Sequence, residues 1–175
     1  MSQNKLNIAI AGATGYVGLD LIYYLSKHPK IKITYLCAQK KIGSNIKNFD
    51  QRLKKNLPKI SNLNNVNWNK VDLLYLSLPN GEAQKLVKKL YKHNHINFID
   101  LSADFRIENA TKYKKWYMKN HNAKSLIKDF NYFNKLYEKN LTYLTKFLNE
   151  FHNVSFSKLY WRILIGVWLY KFITI

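Results

Sequence analysis

Three glycines spaced three residues apart are the part of the sequence best suited to chemistry. Gly12, Gly15 and Gly18 stand in the string Gly-Ala-Thr-Gly-Tyr-Val-Gly, directly after the apolar run 6–11. A bound diphosphate needs a tight turn after a strand, a stretch of backbone without side chains, and a helix that packs closely behind it. The three glycines can meet these needs in turn, so the string predicts a dinucleotide site.

The residues between the glycines lie where a helix is expected to begin. The free amides of its first turn would point toward the diphosphate, and the helix dipole favours negative charge there. A turn that merely connects two elements is the alternative, but it would not require three glycines at this spacing. The expected cofactor contacts are Gly12, Thr14, Gly15, Tyr16, Val17 and Gly18.

The segment after the second expected strand bears on which dinucleotide binds. NAD-specific sites usually place Asp or Glu there to bind the ribose hydroxyls. Here the sequence is Cys-Ala-Gln-Lys-Lys at 37–41, without a carboxylate. Lys40 or Lys41 could contact a 2′-phosphate, and lysines of a solvated turn are the alternative. The segment favours NADP as the cofactor.

Alternating strand and helix patterns must position this loop. Apolar residues at 17, 21, 22 and 25 share one helical face, and Pro29 limits the helix, which we predict over 16–28. The further predicted elements are strands over 31–37, 71–78 and 96–101 and an amphipathic helix through 83–90. The alternation is typical of an α/β, Rossmann-type doubly wound fold with a mostly parallel sheet.

Two stretches are less regular. Residues 39–70 are rich in Asn and Lys and predict a helical or loop excursion. Beyond about Asp129 aromatic residues accumulate, and the strand and helix periods both blur. We therefore expect an NAD(P)-binding domain over 1–130, followed by a divergent, poorly defined C-terminal appendage over 131–175.

Length, charge and cysteine content narrow the classes of function. A chain of 175 residues accommodates one domain and an appendage. The net charge of +19 comes almost entirely from scattered Lys, with Arg only at 52, 106 and 162. Because proteins that bind nucleic acid rely on Arg, we expect no nucleic-acid partner.

Neither membrane, metal nor export signals stand out. The apolar run 163–170 is well short of the roughly 20 residues that a bilayer crossing needs. Cys37 is the one cysteine and no Cys/His cluster occurs, so neither a disulfide nor a metal site is expected. With no targeting segment, the expected location is the cytoplasm.

Two further strings carry a resemblance to a known family. They are Leu-Pro-Asn-Gly-Glu-Ala-Gln at 78–84 and Asp-Leu-Ser-Ala-Asp-Phe-Arg at 100–106, the latter followed by Tyr-Lys-Lys-Trp-Tyr at 113–117 and by His121. With the glycine loop, they resemble the N-terminal region of N-acetyl-gamma-glutamyl-phosphate reductases, which belong to the semialdehyde dehydrogenase group. The resemblance runs from about residue 5 to about residue 131. It implies NADPH-dependent reduction of N-acetyl-glutamyl phosphate to the semialdehyde, in arginine biosynthesis.

The resemblance implies binding positions on both sides of the site. Those for the cofactor are Ser77 and Pro79, and those for the substrate are Ser102 and Arg106. Arg106 would bind a substrate anion, or it would instead form an ion pair or clamp a carbonyl within its own loop. Asp100 and Asp104 are expected to fix that loop.

The family's catalytic groups have no counterpart in the matched strings. The family uses a cysteine thiolate to attack the acyl phosphate and a histidine to handle protons, and its Asn-Pro-Gly-Cys turn does not occur here. Cys37 is expected to pack in the core. The default expectation for the histidines is a surface or helix-end position; they are His28, His93, His95, His121 and His152. We expect no catalytic residue, and a truncated chain that is inactive alone.

Functions apart from that of a truncated reductase stay open. The chain could be a non-enzymatic NADP-binding or partner-binding module, and its candidate partners include a second copy and a separate catalytic half. Residues 131–175 could be read out of frame or belong to a short protein that kept only cofactor binding. A short-chain dehydrogenase would need Tyr-x-x-x-Lys near the nicotinamide, but the one such pair, Tyr23 and Lys27, falls on the first expected helix.

Overall fold

The fold is a parallel sheet of five strands, described for residues 5–130 by a computed structural model. In chain order the elements are β1 (Leu6–Ala11), α1 (Tyr16–Leu25), β2 (Ile31–Cys37), β3 (Ile60–Ser61), β4 (Leu73–Leu76), α2 (Glu82–Leu90), β5 (Asn97–Asp100) and α3 (Ala110–Tyr117). The strand order is β3-β2-β1-β4-β5, and every pairing is parallel. This is the predicted Rossmann-type, doubly wound architecture.

The strand order creates a crevice between β1 and β4. The chain starts at the centre with β1, builds outward through β2 to β3, and then crosses to the other side for β4 and β5. In such a sheet the connections after β1 and β4 leave in opposite directions, which opens a crevice at the carboxyl ends of these strands. The loops that follow β1 and β4 therefore flank the place where ligands bind in this architecture.

Both faces of the sheet are buried. Side chains alternate along β1, so that Ile8 and Ile10 pack in the same cluster as buried residues of α1, whereas Ala9 and Ala11 pack with those of α2. All four are fully buried. Because helices cover both faces, the central strands β1 and β4 are almost entirely apolar, with Asn7 as the exception, and the sequence shows them clearly.

The predicted element bounds need two adjustments. α1 ends at Leu25, with Ser26 as its C-cap, and not at residue 28. The apolar run 71–78 contributes only Leu73–Leu76 to the sheet, since Ser77 already begins the loop beside β1. Since Pro29 restricts only His28, it does not account for the end of α1 at Leu25.

The excursion at 39–70 contains a strand that its composition conceals. β3 pairs with the end of β2 through Ile60 beside Leu36. Three 3-10 turns fill much of the rest, at Ile46–Asn48, Leu63–Asn65 and Trp68–Lys70. Each follows an Asn whose side chain accepts a hydrogen bond from the amide two residues on, at Asn45, Asn62 and Asn67. Asn competes in this way with longer helices, so the Asn-rich stretch forms short turns.

An exposed cluster ties the excursion to α1. The Arg52 guanidinium binds the carboxylates of Asp50 at 2.6 Å and Asp20 at 2.7 Å. It also lies over the Tyr23 ring, 4.9 Å from its centroid, and the Lys27 ammonium lies 3.5 Å from the same centroid. The pair Tyr23 and Lys27 therefore lies at α1 in a surface contact, as expected, and does not resemble a proton relay.

Two absences hold for residues 5–130. No helix there is long and apolar enough to cross a membrane. No group of three or more His, Cys, Asp or Glu side chains in this part could hold a metal ion. The apolar run 163–170 and the rest of the expected appendage at 131–175 lie outside the described residues.

Candidate functional site

The glycine loop is fixed to both neighbouring strands. The amides of Gly12 and Ala13 donate to the carbonyl of Cys37 at the end of β2, at 2.9 and 3.0 Å. On the other side, the Ser77 amide after β4 donates to the Ala11 carbonyl at 2.8 Å. The loop is thus anchored where β1, β2 and β4 all end, at the carboxyl edge of the sheet.

The three glycines occupy three different environments. Gly12 has a φ of +85°, and a Cβ there would lie 1.9 Å from the Ser77 carbonyl oxygen. A Cβ at Gly18 would lie 2.2 Å from the Gly12 carbonyl oxygen. At Gly15 the nearest heavy atom would be 3.4 Å away, and the backbone is ordinary extended chain. Packing thus requires the first and third glycines, whereas the middle one leaves space open to a ligand.

The N-terminus of α1 opens onto that space. Gly15, Tyr16 and Val17 are exposed, and Tyr16 is 87% accessible. Gly15 is the N-cap and provides no side-chain cap, and the first turn of α1 carries no acidic residue. The first amides of a helix have no internal acceptor. They and the helix dipole are therefore available to an anion.

The other two α-helices of the described part have side chains that cap their N-termini. At α3 the Asn109 side chain accepts from the amides of Thr111 at 2.7 Å and Lys112 at 3.2 Å. At α2 the Asp104 carboxylate accepts from the amides of Gly81 and Gln84. Only α1, among residues 5–130, combines an uncapped N-terminus with a glycine loop at the crevice.

The end of β2 presents two exposed lysines beside the loop. Lys40 and Lys41 follow β2 by three and four residues, and Lys41 adopts a left-handed backbone with a φ of 61°. Cys37, which receives the glycine loop amides, ends the same strand. The lysines therefore stand in the turn where a ribose would lie in this architecture.

The loop after β4 forms the opposite wall. Ser77 is half-buried and Pro79 is exposed. The Pro79 carbonyl accepts from the Glu82 amide at 3.1 Å, and Gly81, with a φ of +93°, is the N-cap of α2. The structure thus places Ser77 and Pro79 in the loop that follows β4, at the carboxyl edge of the sheet.

A buried carboxylate holds this wall in place. Asp104 is fully buried. Its oxygens accept from the Gly81 amide at 2.7 and 2.9 Å, from the Gln84 amide at 3.2 Å and Nε2 at 3.0 Å, and from the Tyr113 hydroxyl at 2.8 Å. Every partner is a donor, which suits an ionised carboxylate. Its charge also lies at the N-terminus of α2, where the helix dipole stabilises it.

His121 belongs to the same network, and its expected surface position is wrong. The side chain is buried. Nε2 lies 2.8 Å from the Asp104 carbonyl oxygen, and Nδ1 accepts from the Ala123 amide at 3.2 Å, so the ring is held as the neutral Nε2–H tautomer. Burial lowers the pKa of His121 below its usual value. In the sequence, His121 stands out because it follows the string 113–117. That position does not reveal that His121 contacts Asp104 in the fold.

Asp100 and Ser102 fix the loop after β5, as expected for Asp100. The Asp100 carboxylate accepts from the amides of Ser102 at 2.9 Å and Phe105 at 3.0 Å, and burial raises its pKa. The Ser102 hydroxyl accepts from the Asp104 amide at 3.1 Å. The Arg106 guanidinium donates to the Ser102 carbonyl at 3.3 Å, which matches the carbonyl clamp named as one alternative for Arg106.

Cys37 is a core residue. Its side chain is buried, and its Sγ lies 3.8 Å from the Ser61 hydroxyl. Burial raises the pKa of the thiol to about 11. Since the thiolate is the nucleophilic form, Cys37 is unsuited to attack an acyl phosphate.

A glycine loop and an open helix N-terminus at the crevice of a doubly wound parallel sheet define a Rossmann-type dinucleotide-binding domain. The family model for the semialdehyde dehydrogenase NAD-binding domain matches residues 7–150. The chain belongs to the semialdehyde dehydrogenase family, and the resemblance predicted from the sequence is confirmed. The match also extends past residue 130, where the sequence predicts the end of the domain.

Similar proteins include enzymes that carry the family name to which the sequence motifs point. The N-acetyl-gamma-glutamyl-phosphate reductase of Ehrlichia ruminantium (strain Gardel) is 44% identical over 131 residues, which are 73% of this chain and 37% of that protein. That of Brachyspira hyodysenteriae is 36% identical over 71% of this chain and 35% of the relative. A solved aspartate semialdehyde dehydrogenase with NADP from Candida albicans aligns at 22% identity and a TM-score of 0.48, over 61% of this chain and 32% of that one. The chain thus spans about a third of the length of these relatives.

Replacing Gly12 tests the anchoring of the loop. In Gly12→Ala we expect left-handed strain of about 1–2 kcal/mol together with overlap at the Ser77 carbonyl, which adds about 1–3 kcal/mol. Gly43→Ala is the matched control, since Gly43 has a φ of +81° but no atom within 4 Å of the place that a Cβ would take. Urea unfolding followed by tryptophan fluorescence measures both. Equal losses in the two variants would contradict the proposed crowding at Gly12.

The neutral His121 predicts a pH dependence of stability. The unfolded chain takes up a proton on this histidine near its ordinary pKa of about 6.5, whereas the folded chain resists it. The unfolded state therefore binds more protons below that pH, and stability falls as the pH is lowered through 6.5 toward the folded pKa. Unfolding titrations between pH 7.5 and 5.5 should show a slope of at most about 1.4 kcal/mol per pH unit from this group. His121→Asn should remove that contribution, and an unchanged slope would count against the assignment.

Proposed function

We propose that this chain binds NADPH and serves as the cofactor domain of an N-acetyl-gamma-glutamyl-phosphate reductase. The observation that carries the proposal is the open N-terminus of α1, with space at Gly15 for a diphosphate. Asp104 and Asn109 close the equivalent ends of α2 and α3. The proposed contacts to the diphosphate are Gly12, Thr14, Gly15, Tyr16, Val17 and Gly18, with Ser77 and Pro79 on the facing wall.

The preference for NADP over NAD is part of the proposal. Exposed Lys40 and Lys41 stand at the end of β2. Two cationic side chains there would stabilise the 2′-phosphate of NADP, and the residues at 37–41 include no carboxylate to bind free ribose hydroxyls. Lys40 is the residue we assign to that phosphate.

The reaction of the whole protein is inferred from its relatives. The bound cofactor would supply the hydride that reduces the acyl phosphate to the semialdehyde with release of phosphate. In this chain, Ser102 and Arg106 are the residues we propose on the substrate side; the Arg106 guanidinium would exchange its carbonyl partner for a substrate anion. We propose residues 1–130 as the nucleotide-binding domain and 131–175 as a separate segment.

A nucleotide titration tests the cofactor site. The full chain should bind NADPH saturably and NADH more weakly, as followed by nicotinamide fluorescence. Gly15→Asp should abolish binding of both, because its carboxylate would occupy the diphosphate position. The same side chain is a favourable N-cap, worth a few tenths of a kcal/mol over Gly, so the variant should remain at least as stable as the parent in thermal unfolding.

Two controls separate cofactor choice from binding itself. Lys40→Ala should lower the preference for NADPH over NADH by about fivefold to tenfold, roughly 1–1.4 kcal/mol for one lost charge-assisted contact, and leave NADH binding unchanged. Lys47→Ala, at a lysine of the same excursion within a 3-10 turn, should change neither. An unaltered preference in Lys40→Ala would reject the role of Lys40, and a stable parent chain without NADPH binding would reject the proposed function.

A second candidate is a module that binds NADP without turnover. The observation in its favour is Cys37, the one cysteine of the sequence, which is buried with a raised thiol pKa. In this second candidate, either a separate catalytic half supplies the attacking thiolate or no reaction takes place.

Turnover measurements test whether Cys37 is a core residue, since both candidates predict that this chain alone does not oxidise NADPH. Purified chain at saturating NADPH should show no oxidation of NADPH with N-acetyl-glutamyl phosphate, and Cys37→Ala should behave like the parent in nucleotide binding. Substrate-dependent oxidation that Cys37→Ala abolishes would show that the buried thiol is catalytic after all and would exclude the module.

A further inference from the structure

Asp104 joins the loops that follow β4 and β5. Its side chain binds Gly81 and Gln84 at the start of α2. Its own amide donates to the Ser102 hydroxyl, and its carbonyl oxygen faces Nε2 of His121. One buried residue thus contacts the wall of the cofactor crevice through its carboxylate and the expected substrate loop through its backbone.

The wall after β4 is anchored at both of its ends and by Tyr113 between them. At its beginning, Ser77 is anchored to β1 by the bond from its amide to Ala11. At its end, Gly81 is anchored to the Asp104 carboxylate at 2.7 and 2.9 Å. Tyr113 adds a third contact, because its hydroxyl lies within hydrogen-bonding distance of both Asp104 and Asn80. The segment 78–80 is therefore placed by Asp104 and its partner Tyr113, and not by the sheet alone.

The other half of the crevice does not depend on Asp104. The glycine loop is held by the Cys37 carbonyl of β2. Lys40 and Lys41 follow that same strand. In a doubly wound sheet the dinucleotide lies across the crevice, with its adenosine over the β1 and β2 side and its nicotinamide toward the β4 side. Loss of the Asp104 contacts should therefore disturb one end of the cofactor only.

We propose that Asp104 is a positioning residue, which with Tyr113 holds the segment 78–81 against the nicotinamide half of the bound dinucleotide. This inference rests on the proposed function, since it presupposes that NADPH binds in the crevice. The buried carboxylate of Asp104 and the four groups that donate hydrogen bonds to it form a rigid support. A rigid support sets ligand geometry better than a loop packed only by apolar contacts.

Comparing the affinity for the whole cofactor with the affinity for its adenosine half tests the inference. The full chain and Asp104→Asn are titrated by calorimetry with NADPH and with 2′,5′-ADP, which carries the adenosine half and the 2′-phosphate but no nicotinamide. In Asp104→Asn we expect NADPH affinity to fall about tenfold, whereas affinity for 2′,5′-ADP changes by less than about twofold. Gly15→Asp should weaken both ligands, because it blocks the shared phosphate position.

Two further variants separate positioning from folding. Tyr113→Phe keeps the buried ring and removes only the hydroxyl, so it should show the same selective loss at smaller size, even if Asp104→Asn does not fold. Ile96→Ala creates a cavity at a buried position at the amino end of β5, away from the crevice. It should lower thermal stability and leave the ratio of the two affinities unchanged.

The outcomes are distinguishable. A selective loss of NADPH affinity in Asp104→Asn or Tyr113→Phe supports the positioning role. Equal losses for both ligands, or no loss in folded variants, would overturn it while the proposed function stands. Failure of the parent chain to bind NADPH would overturn the proposed function, and this inference with it.

Discussion

The close contact between Gly12 and the Ser77 carbonyl is the constraint around which the crevice is built. A Cβ at position 12 would lie 1.9 Å from that oxygen, so the two loops approach each other more closely than any side chain would permit. Hydrogen bonds from β2 and β1 hold the loops at this distance. The crevice floor is therefore backbone on both sides, and its shape follows from the sheet register and not from mobile side chains.

The three α-helices among residues 5–130 differ in which groups accept hydrogen bonds from the amides at their N-termini. Asp104 and Asn109 supply side-chain acceptors to α2 and α3, and each such cap is worth about 1 kcal/mol. α1 lacks one, and Gly15 keeps the place free. The chain thus forgoes stabilisation at one helix end, where an anionic ligand can supply the missing acceptors.

Local patterns in the sequence predicted local structure well. The glycine spacing and the apolar runs placed β1, α1, β2 and α2 within a few residues, because each depends on neighbours in the chain. β3 escaped notice because two strand residues lie among Asn-capped turns. The Asp104 network was out of reach for another reason: its partners Gly81 and His121 are 23 and 17 residues away, so only the fold brings them together.

The large sequence separation between Asp104 and Gly81 also matters during synthesis of the domain. The glycine loop needs only the strands that surround it, whereas Gly81 and Gln84 must wait for a carboxylate that follows Gly81 by 23 residues. Tyr113 and His121 come later still. On a chain that is synthesised from its N-terminus, the wall after β4 therefore cannot make these contacts until Asp104 and Tyr113 have left the ribosome.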